Sequence, residues 1–213
     1  MRRFDLSLYL VLDPDLCVVH SMAQTARLAV AGGVTMVQLR DKAATTAALV
    51  ETGRELKAAL AGTGVPLIVN DDLEAAVAID ADGFHAGQDD VPAEVARQRL
   101  GPGRILGLSV ETEAAVEAID VGVVDYVGVG PVFATPTKPD HKQPIGLDGL
   151  ARLVRLCPLP SVAIGGLKQA HAAPVLASGA GGMAVVSAIC GQPDPQAAAR
   201  SLSRSIEAWR LSH

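Results

Sequence analysis

Polar residues able to hold an anion or a metal ion recur at spaced positions along the chain. Gln38, Arg40 and Lys42 close one apolar run, Asn70 and Asp71-Asp72 the next, and Asp89 and Asp90 the one after. Ser109 follows, then Thr135, Thr137 and Lys138, then Gly165-Gly166, and finally Ser187. The stretch Tyr126–Lys138 shows the pattern at its fullest. Tyr126–Val132 reads as a buried strand in which Gly128 and Gly130 leave room for a close approach to the backbone. Beyond it Pro131 and Pro136 remove backbone donors and set φ, so the chain must open into a loop. That loop presents two hydroxyls and a cation, a grip for an oxygen-rich anion such as phosphate.

The elements that must position these groups alternate along the chain. Strands are expected over Leu6–Leu12, Met36–Asp41, Val65–Asn70, Gly83–Gly87, Ile105–Val110, Tyr126–Val132, Ser161–Gly166 and Gly182–Ser187. Helices are expected over His20–Ala31, Thr45–Ala61, Leu73–Ile79, Pro92–Leu100, Glu111–Ile119, Leu147–Leu156, Lys168–Ala177 and Asp194–Trp209. The units repeat every roughly 20–30 residues, an internal structural repeat. Each helix returns the chain to its starting side, so the strands must be parallel. Even repeats without a G-x-G-x-x-G turn after the first strand predict an α/β fold, a single (β/α)8 TIM barrel spanning residues 1–213 as one domain.

In such a barrel chemistry sits at the C-terminal strand ends, where the polar residues fall. On the second strand a period of two puts Gln38, Arg40 and Lys42 on one side. Carboxylates after strands three and four would face one cavity and repel unless a proton or cation lies between them. With Arg40, Lys42 and Lys138 across the mouth, Mg²⁺ completed by substrate phosphates is the natural occupant, and a diphosphate is implied. Gly165-Gly166 and the end of strand eight form a second anion site, using backbone N–H groups at helix starts. Each feature has a plainer alternative. Asp71 or Asp72 can be only a helix N-cap, Asp89-Asp90 a turn pair, Arg40 a structural ion-pair partner, and Gly165-Gly166 a turn.

Composition narrows the partners. The net charge of −5 and the absence of a basic run argue against nucleic acid, and 3% aromatic residues provide few stacking platforms. No apolar run reaches the ~18 residues a membrane span needs. Arg2 and Arg3 precede an apolar segment, but Ser7 interrupts it, Asp13 stops it and no small-residue cleavage site follows; a cytoplasmic protein is expected. Cys17, Cys157 and Cys190 are widely separated and without a C-x-x-C pair, so they read as reduced thiols packed as small hydrophobes.

The ordered set V-Q-L-R-D-K (37–42), N-D (70–71), H-x-G-Q-x-D (85–90), G-x-S (107–109), G-P-V-F-x-T-x-T-K (130–138), A-I-G-G (163–166) and V-V-S-A-I (185–189) resembles thiamine phosphate synthases. The match runs from the first strand to the last helix. The resemblance implies a transferase that joins 4-amino-5-hydroxymethyl-2-methylpyrimidine diphosphate to a thiazole phosphate and releases diphosphate. It implies small-molecule substrates only, with no nucleic-acid or membrane partner. By position it makes Asp71 and Asp90 the Mg²⁺ ligands, with Arg40, Lys42, Asn70 and Lys138 on the diphosphate. Gln38 would meet the pyrimidine, and Ser109 would lie beside the reacting groups. Thr135, Thr137, Gly166, Val186 and Ser187 would receive the thiazole phosphate. Two places depart from the family pattern. Val110-Glu111-Thr112 stands where V-H-T is common, and His171 lies near where an Asn often follows the Gly-Gly pair. A thiazole tautomerase of the same fold carries a catalytic His where this chain has Pro131, and needs neither diphosphate nor metal. A phosphate-ligand sensor without catalysis would account for anion sites but not for paired carboxylates.

Overall fold

A computed structural model of the chain describes residues 4–88, 90–135 and 143–213. Eight parallel strands close into a barrel in chain order: β1 (Leu8–Leu12), β2 (Met36–Leu39), β3 (Leu67–Asn70), β4 (Gly83–Ala86), β5 (Ile105–Val110), β6 (Tyr126–Val129), β7 (Ser161–Ile164) and β8 (Gly182–Val185). Closure is made by β1 against β8, with Leu8 opposite Met183 and Leu10 opposite Val185. The helices are α1 (Met22–Ala31), α2 (Thr46–Leu60), α3 (Leu73–Ala78), α4 (Ala93–Leu100), α5 (Glu113–Glu117), α6 (Gly146–Leu156), α7 (Ala172–Ala177) and α8 (Pro195–Ser212). The predicted (β/α)8 barrel is therefore the observed one.

The strands are buried on both faces because each face packs on a different layer. Tyr9, Val11, Met36, Ile68, Ile105, Tyr126, Val162 and Ala184 form one cluster, which fills the barrel interior. Their neighbours one residue along, among them Leu10, Val37, Val69, Leu106, Val127 and Val185, belong to a second cluster between sheet and helices. The period of two thus divides each strand between two cores.

The element boundaries differ from the expected ones for local reasons. The first helix begins at Met22, since the Ser21 side chain accepts from Gln24 N at 3.2 Å and caps it. The fifth begins at Glu113, with Thr112 as cap, and so releases Glu111 to the cavity mouth. Residues 168–171 do not join α7. They form a 3₁₀ turn over Gln169–His171. Pro174, third residue of α7, has no N–H to give to the carbonyl four residues back. The second strand stops short of its polar tail because the register stops: Leu39 is the last paired residue of β2, opposite Leu12 and Val69. Among the described residues no helix is long and apolar enough to cross a membrane.

Candidate active site

The barrel mouth opens into a cavity lined by Gln38, Arg40, Lys42, Asn70, Asp71, Asp90, Ser109, Thr135, Gly166, Val186 and Ser187. Eleven of the thirteen candidate positions are thus brought together. The other two, Thr137 and Lys138, lie outside the described residues. Arg40, Lys42, Asn70, Asp71 and Asp90 also line an adjoining outer groove, which places them between the enclosed floor and open solvent.

The strand-two side is held by ion pairs. Arg40 donates from Nη1 to Asp13 Oδ2 at 3.0 Å, and both side chains are nearly buried, 16% and 10% exposed. Asp13 Oδ1 is in turn fixed by the N–H of Asp15. Arg40 is a structural ion-pair partner and a cavity-lining cation at once, because one guanidinium can serve both sides. Lys42 pairs with Asp71 through Oδ2.

The choice left open at Asp71-Asp72 resolves cleanly. Asp72 is the cap of α3, its Oδ1 accepting from Ala75 N at 2.7 Å and its Oδ2 from Thr46 Oγ1 at 2.7 Å. Asp71 takes no part in capping. It sits at φ +61°, in the left-handed region that a non-glycine residue adopts only when its surroundings impose it. Its Oδ1 accepts from Asn70 Nδ2 at 2.6 Å, and the Asp90 carboxyl neighbours its own. Burial first, and next the neighbouring Asp90 carboxyl, raise the Asp71 carboxyl above the usual carboxylate range, while Lys42 opposes the shift. Asp90 Oδ2 is oriented by Gly87 N at 2.7 Å.

Burial and the neighbouring Asp90 carboxyl both oppose ionisation of Asp71, so a proton or a cation between the two is favoured. Oxygen donors suit Mg²⁺, which takes one or two carboxylates and completes its shell with water and substrate phosphate. Among the described residues no group of three or more His, Cys, Asp or Glu is gathered, so the pair is the donor set on offer. The residues present fit such an ion.

The opposite wall is built differently. Gly165 and Gly166 both have positive φ, 103° and 64°. A Cβ on Gly166 would lie 2.7 Å from Ala134 O and 2.8 Å from Phe133 Cβ. The glycine therefore lets the loop after β7 seat against the loop carrying Thr135, and Phe133 N donates to Gly165 O at 3.0 Å to join them. After β8 the chain folds into a turn in which Ile189 N and Cys190 N both donate to Val186 O. The expected helix starts do not follow directly. Gly166 leads into the 3₁₀ turn, and α8 begins only at Pro195. Lys168 Nζ donates to Ser187 Oγ at 2.8 Å, which puts a cation beside this wall that spacing alone did not reveal.

The floor was also missed. Gln38 Nε2 donates to Tyr9 Oη at 2.7 Å, Tyr9 and Tyr126 hydroxyls are 2.9 Å apart, Tyr126 Oη lies 2.9 Å from His85 Nδ1, and His85 Nε2 lies 3.0 Å from Ser109 Oγ. Strand parity would have found it: Tyr9 is two residues before Val11, Tyr126 two before Gly128, and His85 two before Gly87, all on the interior face. Glu111 also lines the mouth. The cysteines are unbridged; Cys157 and Cys190 are buried, and partly exposed Cys17 is pushed down to about 7 chiefly by a hydrogen bond from Cys190.

The chain is similar to known proteins along nearly its whole length. A family model described as thiamine monophosphate synthase matches residues 8–189. The thiamine-phosphate synthase of Xanthobacter autotrophicus is 53% identical over 209 residues, covering 98% of this chain and 99% of that one. That of Azorhizobium caulinodans is 49% identical, covering 97% and 98%. Among solved structures, thiamine phosphate pyrophosphorylase from Pyrococcus furiosus superposes with a TM-score of 0.86 at 34% identity, over 96% of each chain. A 3-hexulose-6-phosphate synthase, 19% identical with a TM-score of 0.65, shares the fold alone. With a family match from the first strand to the turn after the last, and near-complete relatives at about half identity, the chain belongs to the thiamine monophosphate synthase family.

Proposed function

We propose that the protein condenses 4-amino-5-hydroxymethyl-2-methylpyrimidine diphosphate with a thiazole phosphate, giving thiamine phosphate and diphosphate, in a Mg²⁺-dependent reaction. The observation that carries the reading is the division of one cavity. The Asp71 and Asp90 carboxyls, flanked by Lys42 and Arg40, stand on one wall, and the Gly166, Val186 and Ser187 wall with Lys168 on the other. Two phosphate-bearing substrates need two such grips.

In this reading Asp71 and Asp90 hold the ion, which would neutralise charge on the departing diphosphate. Arg40, Lys42, Asn70 and Lys138 hold the same diphosphate by charge-assisted hydrogen bonds. The C–O bond between the pyrimidine CH₂ and the diphosphate breaks with both electrons leaving on oxygen. The 4-amino group feeds electron density to the resulting cation, Gln38 faces the ring, and Ser109 lies beside the reacting groups. The thiazole nitrogen then supplies the pair for the new C–N bond, kept close by its phosphate on Thr135, Thr137, Gly166, Val186 and Ser187. No proton need be moved by a triad. Both substrates are charged phosphate esters, costly to bring into a bilayer, and this supports the cytoplasmic location expected from the sequence.

Titration calorimetry tests the division. Chelating Mg²⁺ with EDTA should weaken pyrimidine diphosphate binding and leave thiazole phosphate binding unchanged; equal loss of both would contradict it. Two substitutions extend the test. Lys168→Met should raise KM for thiazole phosphate about tenfold, the usual cost of losing a hydrogen bond to a charged group, without affecting KM for the pyrimidine diphosphate. Lys138→Ala should lower kcat by about tenfold to a hundredfold and change KM less, since its charge matters most as the leaving group gains negative charge. A raised KM at unchanged kcat would assign Lys138 to ground-state binding alone.

A further inference from the structure

The floor of the cavity is a chain of five side chains from five strands, Gln38, Tyr9, Tyr126, His85 and Ser109. Such a chain has a direction, and chemistry decides which. Gln38 donates to Tyr9 Oη, so the Tyr9 proton must go elsewhere. Tyr9 is fully buried, and among its described contacts the acceptor within reach is Tyr126 Oη at 2.9 Å. Tyr126, also fully buried, then gives its own proton to His85 Nδ1 at 2.9 Å. With Nδ1 accepting, a neutral His85 carries its hydrogen on Nε2 and donates to Ser109 Oγ at 3.0 Å. Burial drives the ionisation of both phenols well above the usual range, so both hydroxyls keep their protons.

The space for this chain is made by glycine. A Cβ on Gly107 would lie 2.2 Å from Tyr126 Cζ and 2.4 Å from His85 Nδ1, and one on Gly128 would lie 3.3 Å from His85 Cε1. The phenol and imidazole can meet inside the barrel only because neither strand places a side chain there.

Both ends of the chain line the cavity. At one end one of the two Gln38 amide N–H groups goes to Tyr9, which fixes which side of the amide is nitrogen and leaves Oε1 as the acceptor on the other side. At the other, Ser109 accepts from His85 and offers its O–H, a donor. We infer that Tyr9, Tyr126 and His85 are positioning residues that set this donor–acceptor polarity, and that the polarity selects an aminopyrimidine over the corresponding oxopyrimidine. This rests on the proposed binding of the pyrimidine diphosphate at this floor. An aminopyrimidine presents an N–H donor beside a ring nitrogen acceptor. The 4-oxo form presents a carbonyl acceptor beside a ring N–H donor, the reverse pattern, and would leave both ends of the buried chain mismatched.

The test is binding, which separates recognition from the electronic effect of the amino group on turnover. Dissociation constants for the 4-amino pyrimidine diphosphate and its 4-oxo analogue are measured by calorimetry for the wild type, Tyr126→Phe and Tyr9→Phe. The wild type should prefer the amino form by about a hundredfold, a modest value for a site built around hydrogen bonds. Each Phe variant breaks the chain while keeping ring volume, and the preference should shrink about tenfold with thiazole phosphate affinity unchanged. An unchanged preference in both variants, or an equal loss for both forms as a packing defect would give, overturns the inference. If either variant does not fold, His85→Gln, with the same readout, takes its place. Wild-type product formation is scored separately: its failure sinks the proposed function, whereas a fixed preference in an active enzyme sinks only this inference.

Discussion

Asp90→Asn should reduce turnover by about three orders of magnitude, the effect of losing several kcal/mol of charge stabilisation on a leaving diphosphate. Asn is the informative substitution because it keeps a carbonyl oxygen for Gly87 N, whose bond to Asp90 Oδ2 shapes the turn. What it removes is one charge of the Asp71–Asp90 pair. Asp90 is only partly buried and contributes little to the core, so stability should change by no more than about 0.5 kcal/mol. Raising Mg²⁺ should recover part of the activity, since the ion would still find Asp71. Kinetics across a Mg²⁺ titration decide the matter. Full activity of the variant, or of the wild type in EDTA, contradicts the assignment.

Gly166→Val should cripple thiazole phosphate binding and destabilise the protein together. From the sequence, the expected cause is a side chain filling the space the phosphate needs. The structure gives a different first collision. The new Cβ meets Ala134 O at 2.7 Å and Phe133 Cβ at 2.8 Å, so the loop carrying Thr135 is pushed off the loop after β7. Backbone strain at φ 64° adds about 1–2 kcal/mol for an L side chain, and overpacking about 1–3 kcal/mol more. The melting temperature should drop by roughly 5–15 °C. Below that temperature, KM for thiazole phosphate should rise at least about tenfold while pyrimidine diphosphate affinity holds within a few-fold, because Asp71, Asp90 and Arg40 sit on other strands. If the pyrimidine diphosphate site alone were weakened, the two walls would be assigned the wrong way round.

The barrel was legible because strand bodies and helices differ in period, and glycine and proline mark the breaks between them. Strand length was not. Met36–Asp41 continues to alternate after Leu39, but the register with both neighbouring strands ends there, with Arg40 N making one last bond to Leu12 O, and alternation in a sequence does not reveal where a neighbouring strand stops. Along the strands, alternation correctly placed Gln38, Arg40 and Lys42 on one wall. The same rule applied to Tyr9, Tyr126 and His85 would have exposed the floor, but apolar neighbours made those strands read as core. Asp71 and Asp72 are chemically identical neighbours. Only the backbone turn at Asp71 separates the cap from the candidate metal ligand, and composition carries no trace of it. Lys168 reaches Ser187 because residues 168–171 tighten into a 3₁₀ turn, a contact between two loops that no spacing along one of them predicts.

The central claim is that one cavity joins two phosphate-bearing substrates. The most direct measurement incubates the pure protein with the pyrimidine diphosphate, the thiazole phosphate and Mg²⁺ and follows both products by phosphorus NMR. Thiamine phosphate and diphosphate should appear in equal amounts, and neither should form when one substrate is left out. Absence of thiamine phosphate, or conversion of the thiazole phosphate to an isomer without the pyrimidine, would contradict it.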